Sequence, residues 1–504
     1  MTTFHAIRFW AVAIFLSTAI SVSGLPLQQG SGIENAKQLF QSGKLKEATA
    51  ILSKVIASRP ELEEAYPLLI RYQIEANDLN GAQRTTKQAL QRFPKSSSVT
   101  AAAADFEFRI SKFPEAAVLY REALQFDPMS ARSLLGLGRL NRLTSMNRSA
   151  RNLFERAYAL DPKDPDIVHE WAYMRNTPSE IAVALEEYLR LASFKDEDYR
   201  NAVKRSWAVQ KYFGERTECR VTGLPIPETF ELTRMSRPED LTNSISLGIL
   251  ASINGAKPER IKLQESGGIV VTAAYAEELR LPRIVESPHD TPYGIRKNDY
   301  VAFADRIRVG NFELQNCPVT VKDAASVYGD VQGPLAAIGL DLFTDFIAKL
   351  DFSKNLLTLL PTHNASEGDA KFSDAELPEN ENNFTRLLRV GSTFLVPTHL
   401  NGGPEVLFTL SFGLPYSLAS FNLPEAKTLG LGSPPGPVGD NSKCSSSCGE
   451  VKFDRFTVKR TILRELYDRM SYVQGFEISG SLGYNALQER TVTFDYRNGL
   501  LKFD

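Results

Sequence analysis

Apolar residues fall at helical spacing along roughly the first two hundred positions of the chain, then switch to short alternating runs. The helical part repeats. Pro60, Pro94, Pro128 and Pro162 are 34 residues apart, and so are Ala48, Ala82, Ala116 and Ala150. Ala89, Ala123 and Ala157 keep the same period, with Val55 in the equivalent earlier place. A unit of this length is a pair of helices whose small residues allow close approach and whose proline ends the second helix. Asp127-Pro128 and Asp161-Pro162 add turn chemistry between units. Paired helices are therefore predicted over 30–212, with a degenerate fifth unit at 184–212 capping the stack.

After about residue 215, runs rich in Val, Ile, Leu and Phe are punctuated by Asn-Gly, Gly-Asn and proline, which is the texture of strands and hairpins. Two stretches run alike. Ile338-Gly339-Leu340-Asp341-Leu342-Phe343 leads to Leu350-Asp351-Phe352, and Leu482-Gly483-Tyr484-Asn485-Ala486-Leu487 leads to Phe494-Asp495-Tyr496. Gly339 and Gly483, Asp351 and Asp495, and Leu356 and Leu500 all share an offset of 144, which points to a duplicated β-lobe. Ile253-Asn254-Gly255 and Leu400-Asn401-Gly402 announce a hairpin at the start of each copy. Asp351 and Asp495 read as turn residues that hydrogen-bond their own backbone. The polar, acidic stretch between the copies reads as a linker. The expected organisation is a helical domain at 30–212, a first β-lobe at 220–362, a linker at 363–389 and a second lobe at 390–504.

The helical units resemble the tetratricopeptide repeat (TPR) family, because small residues and proline recur in register over four units. Tyr120 and Phe154 fit its aromatic positions, while Leu52 and Thr86 stand there in the first two units. The resemblance implies an α-solenoid whose concave groove binds a peptide or partner protein. In the family's register that groove includes Arg71, Asp105, Arg132, Arg139 and Arg142. Its arginines suit either a grip on a ligand's carboxylate or a solvated face.

The two β-lobes resemble retropepsin-like aspartic peptidase lobes, in which an Asn-Gly hairpin leads to a strand ending in Asp-Thr/Ser-Gly. Leu407-Phe408-Thr409-Leu410 and Ile261-Lys262-Leu263 are the corresponding strands here, and Gly483 and Gly339 match the family's later apolar-apolar-Gly motif. The fold class implied is an N-terminal α-helical TPR solenoid followed by two all-β lobes of acid-protease type. The departure is in the triplet. The second lobe has Ser411-Phe412-Gly413, and the first has Gln264-Glu265-Ser266, or Leu263 in the aspartate's place when counted back from Gly268-Ile269. Neither register supplies an aspartate. Aspartic peptidases share one proton between two carboxyl groups that activate a water. A serine hydroxyl or a glutamine amide holds a water without deprotonating it near neutral pH. The resemblance thus implies a vacated centre at Gln264 and Ser411 beside a cleft that still pairs with extended peptides. Residues 290–299, with Tyr293 and Gly294, are either its flap or a plain surface hairpin. A working endopeptidase using Glu265 is one alternative, and a structural subunit of an envelope assembly is another.

Composition adds three constraints. A hydrophobic share of 43%, a charged share of 23% and a net charge of -2 describe ordinary globular protein and argue against a nucleic-acid or anionic-membrane binder. His5 and Arg8 precede an apolar run from Phe9 to Ile20 that closes in small residues at Gly24. Residues 1–24 read as a secretory signal, with an uncleaved anchor as the alternative, so the expected location is secreted or periplasmic. Cys219, Cys317, Cys444 and Cys448 allow three disulfide connectivities, and a local Cys444–Cys448 pair within a Ser/Gly loop is the expected one. No metal or cofactor is expected: no histidine accompanies the cysteines, and no Gly-x-Ser-x-Gly, His-Glu-x-x-His or phosphate-loop motif is present.

Overall fold

The computed structural model describes residues 31–195, 197–214, 219–222, 226–236, 245–287, 289–291, 294–296, 299–322, 335–362, 373–375, 384–412, 418–419, 448–463 and 475–504. The expected signal at 1–24 therefore lies outside the described residues, as do Tyr293, Gly413 and Cys444.

The helical region consists of α1 (Ser31–Gln41), α2 (Leu45–Ser58), α3 (Ala65–Glu75), α4 (Leu79–Arg92), α5 (Ser97–Arg109), α6 (Phe113–Phe126), α7 (Ala131–Leu143), α8 (Asn147–Leu160), α9 (Pro165–Ala172), α10 (Pro178–Leu191) and α11 (Glu197–Phe213). The periodic alanines sit where helices cross: Ala48, Ala82, Ala116, Ala150, Ala89, Ala123 and Ala157 are all completely buried. Close approach matters most on α7. A Cβ at Gly136 would lie 2.0 Å from the Tyr120 ring, and one at Gly138 2.4 Å from Phe154, so the repeat aromatics need glycine opposite them. Prolines 94, 128 and 162 stand two residues beyond the ends of α4, α6 and α8, where they cannot continue a helix. Side chains of Asp78, Ser96, Ser130, Asp164 and Thr177 cap α4, α5, α7, α9 and α10 by accepting from backbone N–H groups of the first turn.

The first β-lobe closes as a six-stranded barrel of Ile245–Ile253, Glu259–Gln264, Ile269–Thr272, Tyr300–Val309, Phe312–Lys322 and Ala336–Gly339. A disulfide between Cys219 and Cys317 fastens the segment that follows the array to this barrel, beside the pairing of Arg220–Thr222 with Phe312–Lys322. Of the three connectivities open to four cysteines, the one that includes this bond leaves Cys444 for Cys448. Cys444 lies outside the described residues, and so does the expected bond to Cys448. The other lobe is a half-barrel of seven strands in which Thr393–Leu400 pairs with both Glu405–Leu410 and Cys448–Phe453.

A six-stranded sheet joins the lobes. Its centre is the antiparallel pairing of Phe346–Asp351 with Thr491–Asp495, in which Ile347 faces Asp495, Lys349 faces Thr493 and Asp351 faces Thr491. With the offset of 144, this register is its own mirror, so an approximate two-fold passes between Lys349 and Thr493. The duplication extends to the turns. Asn254 and Asn401 both adopt φ 49° and each accepts a backbone N–H through Oδ1, from Arg306 and Glu450 respectively. Asp351 and Asp495 each accept the N–H three residues on, at 2.9 and 3.0 Å, which makes both of them turn residues.

One boundary differs from expectation. Within the expected linker 363–389, Asp374 accepts from the Ser149 N–H and hydroxyl at 3.0 and 2.9 Å, and Ala375 N–H donates to Ser145 O. Thr385–Arg386 and Leu388–Val390 are already strands of the β region. The low apolar content that suggested a free connector belongs to a segment whose polar groups bind α8 and the turn before it.

Candidate functional site

Two places gather the chemistry: the concave face of the array and the junction of the lobes. At the first, the inner face of α5–α7 meets the half-barrel. Phe476 is 1% exposed and meets Phe108 and Phe113 edge-on, with centroids 5.9 and 5.3 Å away. Leu395, Leu407 and Ile478 complete the contact, and the Ser111 hydroxyl donates to Glu477 O at 2.8 Å. The array's groove is thus filled in part by the chain's own β region.

Beside this contact lies a charged cluster. All four groove arginines are there, and each is already paired within the chain. Arg71 donates to Asp164 and Asp166 at 3.2 and 3.3 Å, and Arg132 to Asp105, Asp164 and Asp166 at 2.8, 3.2 and 2.9 Å. Arg139 and Arg142 both hold Glu170, at 3.0 and 2.5 Å. Their side chains are only 21–34% exposed, so neither a solvated face nor four free grips describes them. Burial opposes charge on both sides of these pairs, yet the partners win: Arg132 and Arg139 are held above the usual arginine range, and Asp164, Asp166 and Glu170 below the usual carboxylate range. Burial also pulls the His169 imidazole down to about 4, which leaves it neutral.

The cluster lines a cavity of about 180 Å³ closed on one side by Arg389, Val390, Gly475 and Phe476 of the β region. Several of its groups carry no periodic signal. Arg109 is 4% exposed, donates through Nη2 to Asn77 at 2.8 Å, and keeps Nη1 without a partner. Arg389 donates to Tyr496 O, and Lys195 binds Glu75 at 2.6 Å. Of the acidic half, Asp105 is among the groove positions read from the sequence, whereas Asp164, Asp166 and Glu170 are not.

At the lobe junction, Gln264 ends its strand opposite Gly339, and Ser411 N–H donates to Leu482 O next to Gly483. Gln264 and Ser411 therefore hold equivalent places in the two lobes. Glu265, the next residue, is equivalent to Phe412, and each is held by groups of the other lobe. The Tyr496 hydroxyl donates to Glu265 O, and Phe352 packs on Phe412 with centroids 5.6 Å apart. Burial pushes the Glu265 carboxyl up, against hydrogen bonds from the Ser411 hydroxyl and the Phe412 N–H. Its Oε2 has no partner. Asp341 instead accepts from the N–H groups of Gly267 and Gly268, both at 3.3 Å, and serves the loop. Gly294 begins the short strand Gly294–Arg296 and pairs with Thr291 of His289–Thr291.

The tetratricopeptide repeat family matches residues 39–106. Residues 31–213 form a TPR array. Similar solved structures include a thermophilic TPR protein of Thermus thermophilus, at 20% identity over 35% of this chain and 96% of that one, with a TM-score of 0.29. The type IV pilus biogenesis factor PilW is 18% identical over 36% and 84%, with a TM-score of 0.27. PilF of Pseudomonas aeruginosa is 18% identical over 36% and 82%, with a TM-score of 0.27. Comparison with curated protein sequences finds no match. Among the described residues no helix is long and apolar enough to cross a membrane, and no group of three or more His, Cys, Asp and Glu forms a metal cluster.

Proposed function

We propose that this chain is an exported protein- or peptide-binding scaffold: a TPR array joined to a two-lobed module of aspartic-peptidase type that performs no proteolysis. A TPR array implies protein partners, and the observation that carries the rest is at the lobe junction. The equivalent positions beside Gly339 and Gly483 hold an amide and a hydroxyl, and the nearby Glu265 carboxyl lies against Ser411 rather than against a second carboxyl group. One carboxyl and one hydroxyl cannot divide the roles of base and acid that peptide hydrolysis needs. The Cys219–Cys317 disulfide suits an oxidising compartment and so supports export, in line with the apolar run near the N-terminus.

Two measurements test the reading. The purified chain, incubated with denatured casein at acid and neutral pH, should leave it intact with and without a pepstatin-type inhibitor. Inhibitor-sensitive cleavage refutes the inert module. Panning a displayed peptide library on the full chain should enrich a defined set of extended peptides, and a chain that enriches none is no peptide scaffold.

A further inference from the structure

We propose that the cavity between the array and the half-barrel binds a small oxyanion, a phosphate or dicarboxylate, held by Arg109 and Arg389 and by the outer edges of the paired arginines. The argument begins with charge. Seven cations line the cavity against four carboxylates, Asp164 adds a fifth just behind, Asp495 acts on Arg389 as a sixth, and His169 is neutral. An excess of positive charge in a part-enclosed space is costly unless an anion enters it.

The second observation is hydrogen bonding. Arg109 is almost wholly buried, and its Nη1 has no acceptor. Arg71 Nε is likewise without one. Arg389 reaches the cavity from the opposite wall and donates to the Tyr496 carbonyl; among the described residues no carboxylate forms an ion pair with it. Guanidinium forks on facing walls match the geometry of carboxylate or phosphate oxygens.

Size selects the class. A cavity of about 180 Å³, walled on one side by Val390, Gly475 and Phe476, is below the roughly 300–1,000 Å³ of drug-sized sites. A free small anion fits and a peptide segment does not. The ligand would touch helices of the array and a strand of the β region together, so its binding holds the two in their docked arrangement.

The test is calorimetric titration of the full chain with inorganic phosphate and, separately, succinate, at constant ionic strength maintained with chloride. Saturable one-to-one binding of either, with a rise in thermal midpoint, is expected, and the tighter of the two identifies the oxyanion. Arg109→Met and Arg389→Met should each weaken binding at least tenfold, Arg389→Lys less than Arg389→Met, and Lys87→Ala on the exposed face of α4 not at all. Circular dichroism of each variant without anion verifies folding, and if both Met variants unfold, the Lys variant and the wild-type titration still decide. Absence of saturation by both anions overturns the proposal, and so do Met variants that fold and bind like wild type. Tighter binding of short peptides with a free C-terminal carboxylate than of either anion, abolished by C-terminal amidation, overturns it as well and makes the site a peptide clamp.

Discussion

Replacing Phe476 with Ala tests whether the array and the β region are one cooperative unit. Phe476 belongs to the half-barrel, yet its ring is buried against Phe108, Phe113 and the surrounding apolar residues of α5–α7. Removing a fully buried phenylalanine costs about 3–5 kcal/mol, of which each edge-to-face pair accounts for roughly 0.5–1.5. Because the ring spans the two regions, that loss falls on their docking and not on either core. Trp171 and Trp207 both lie in the array, so tryptophan fluorescence of a chain without its first 24 residues follows the array alone. Far-ultraviolet circular dichroism follows both regions. In urea the wild-type fluorescence and dichroism transitions should coincide. In Phe476→Ala the fluorescence midpoint should fall by about 1–1.7 M, taking a slope near 3 kcal/mol/M for a unit of this size, and should separate from the β transition. A midpoint change under about 0.2 M with the transitions still superimposed would refute the docking argument. Val183→Ala, at a position 71% exposed, is the control and should change nothing.

Four further outcomes are expected. Asp166→Asn strips charge compensation from Arg71 and Arg132, so it should cost about 3 kcal/mol in urea while tightening phosphate binding in calorimetry. Replacing Cys219 and Cys317 together with Ala opens a closed loop of 98 residues, which should cost about 4–5 kcal/mol by chain entropy, read from the urea midpoint. His169 takes its proton near 6.5 when unfolded but only near 4 when folded, so its contribution is present above 6.5 and is lost as pH falls toward 4, by at most about 3 kcal/mol; urea midpoints of His169→Asn against pH should show a flatter slope in that window. Glu265 has the opposite sign, because its raised folded value makes the ionised form costly: Glu265→Gln should stabilise the chain at pH 7–8 and lose that advantage near pH 4, by the same measurement.

What the sequence alone determined is everything that local periodicity controls. A spacing of 34 names the helix pairs because alanine, glycine and proline are required wherever two helices cross or one must stop, whatever lies elsewhere. The offset of 144 and the paired Asn-Gly steps likewise named the hairpins, since Asn254, Asn401, Asp351 and Asp495 are needed by the turn geometry itself. The structure chose between the two registers open at the triplet: Gln264, and not Leu263, is the equivalent of Ser411, because it is Gln264 that pairs with Gly339. Periodicity could place Arg71, Arg132, Arg139 and Arg142 on one face, but not say what they meet. Their partners at 105, 164, 166 and 170, the ring of Phe476, Arg389 on the far wall and the pairing of Cys219 with Cys317 were decided by the tertiary structure. The reason is physical. Burial and ion pairing depend on which surfaces the folded chain brings together, and residues 71 and 164, or 108 and 476, carry no repeat linking them. Charge on a predicted face is therefore legible from the chain, whereas its neutralisation is a property of the fold.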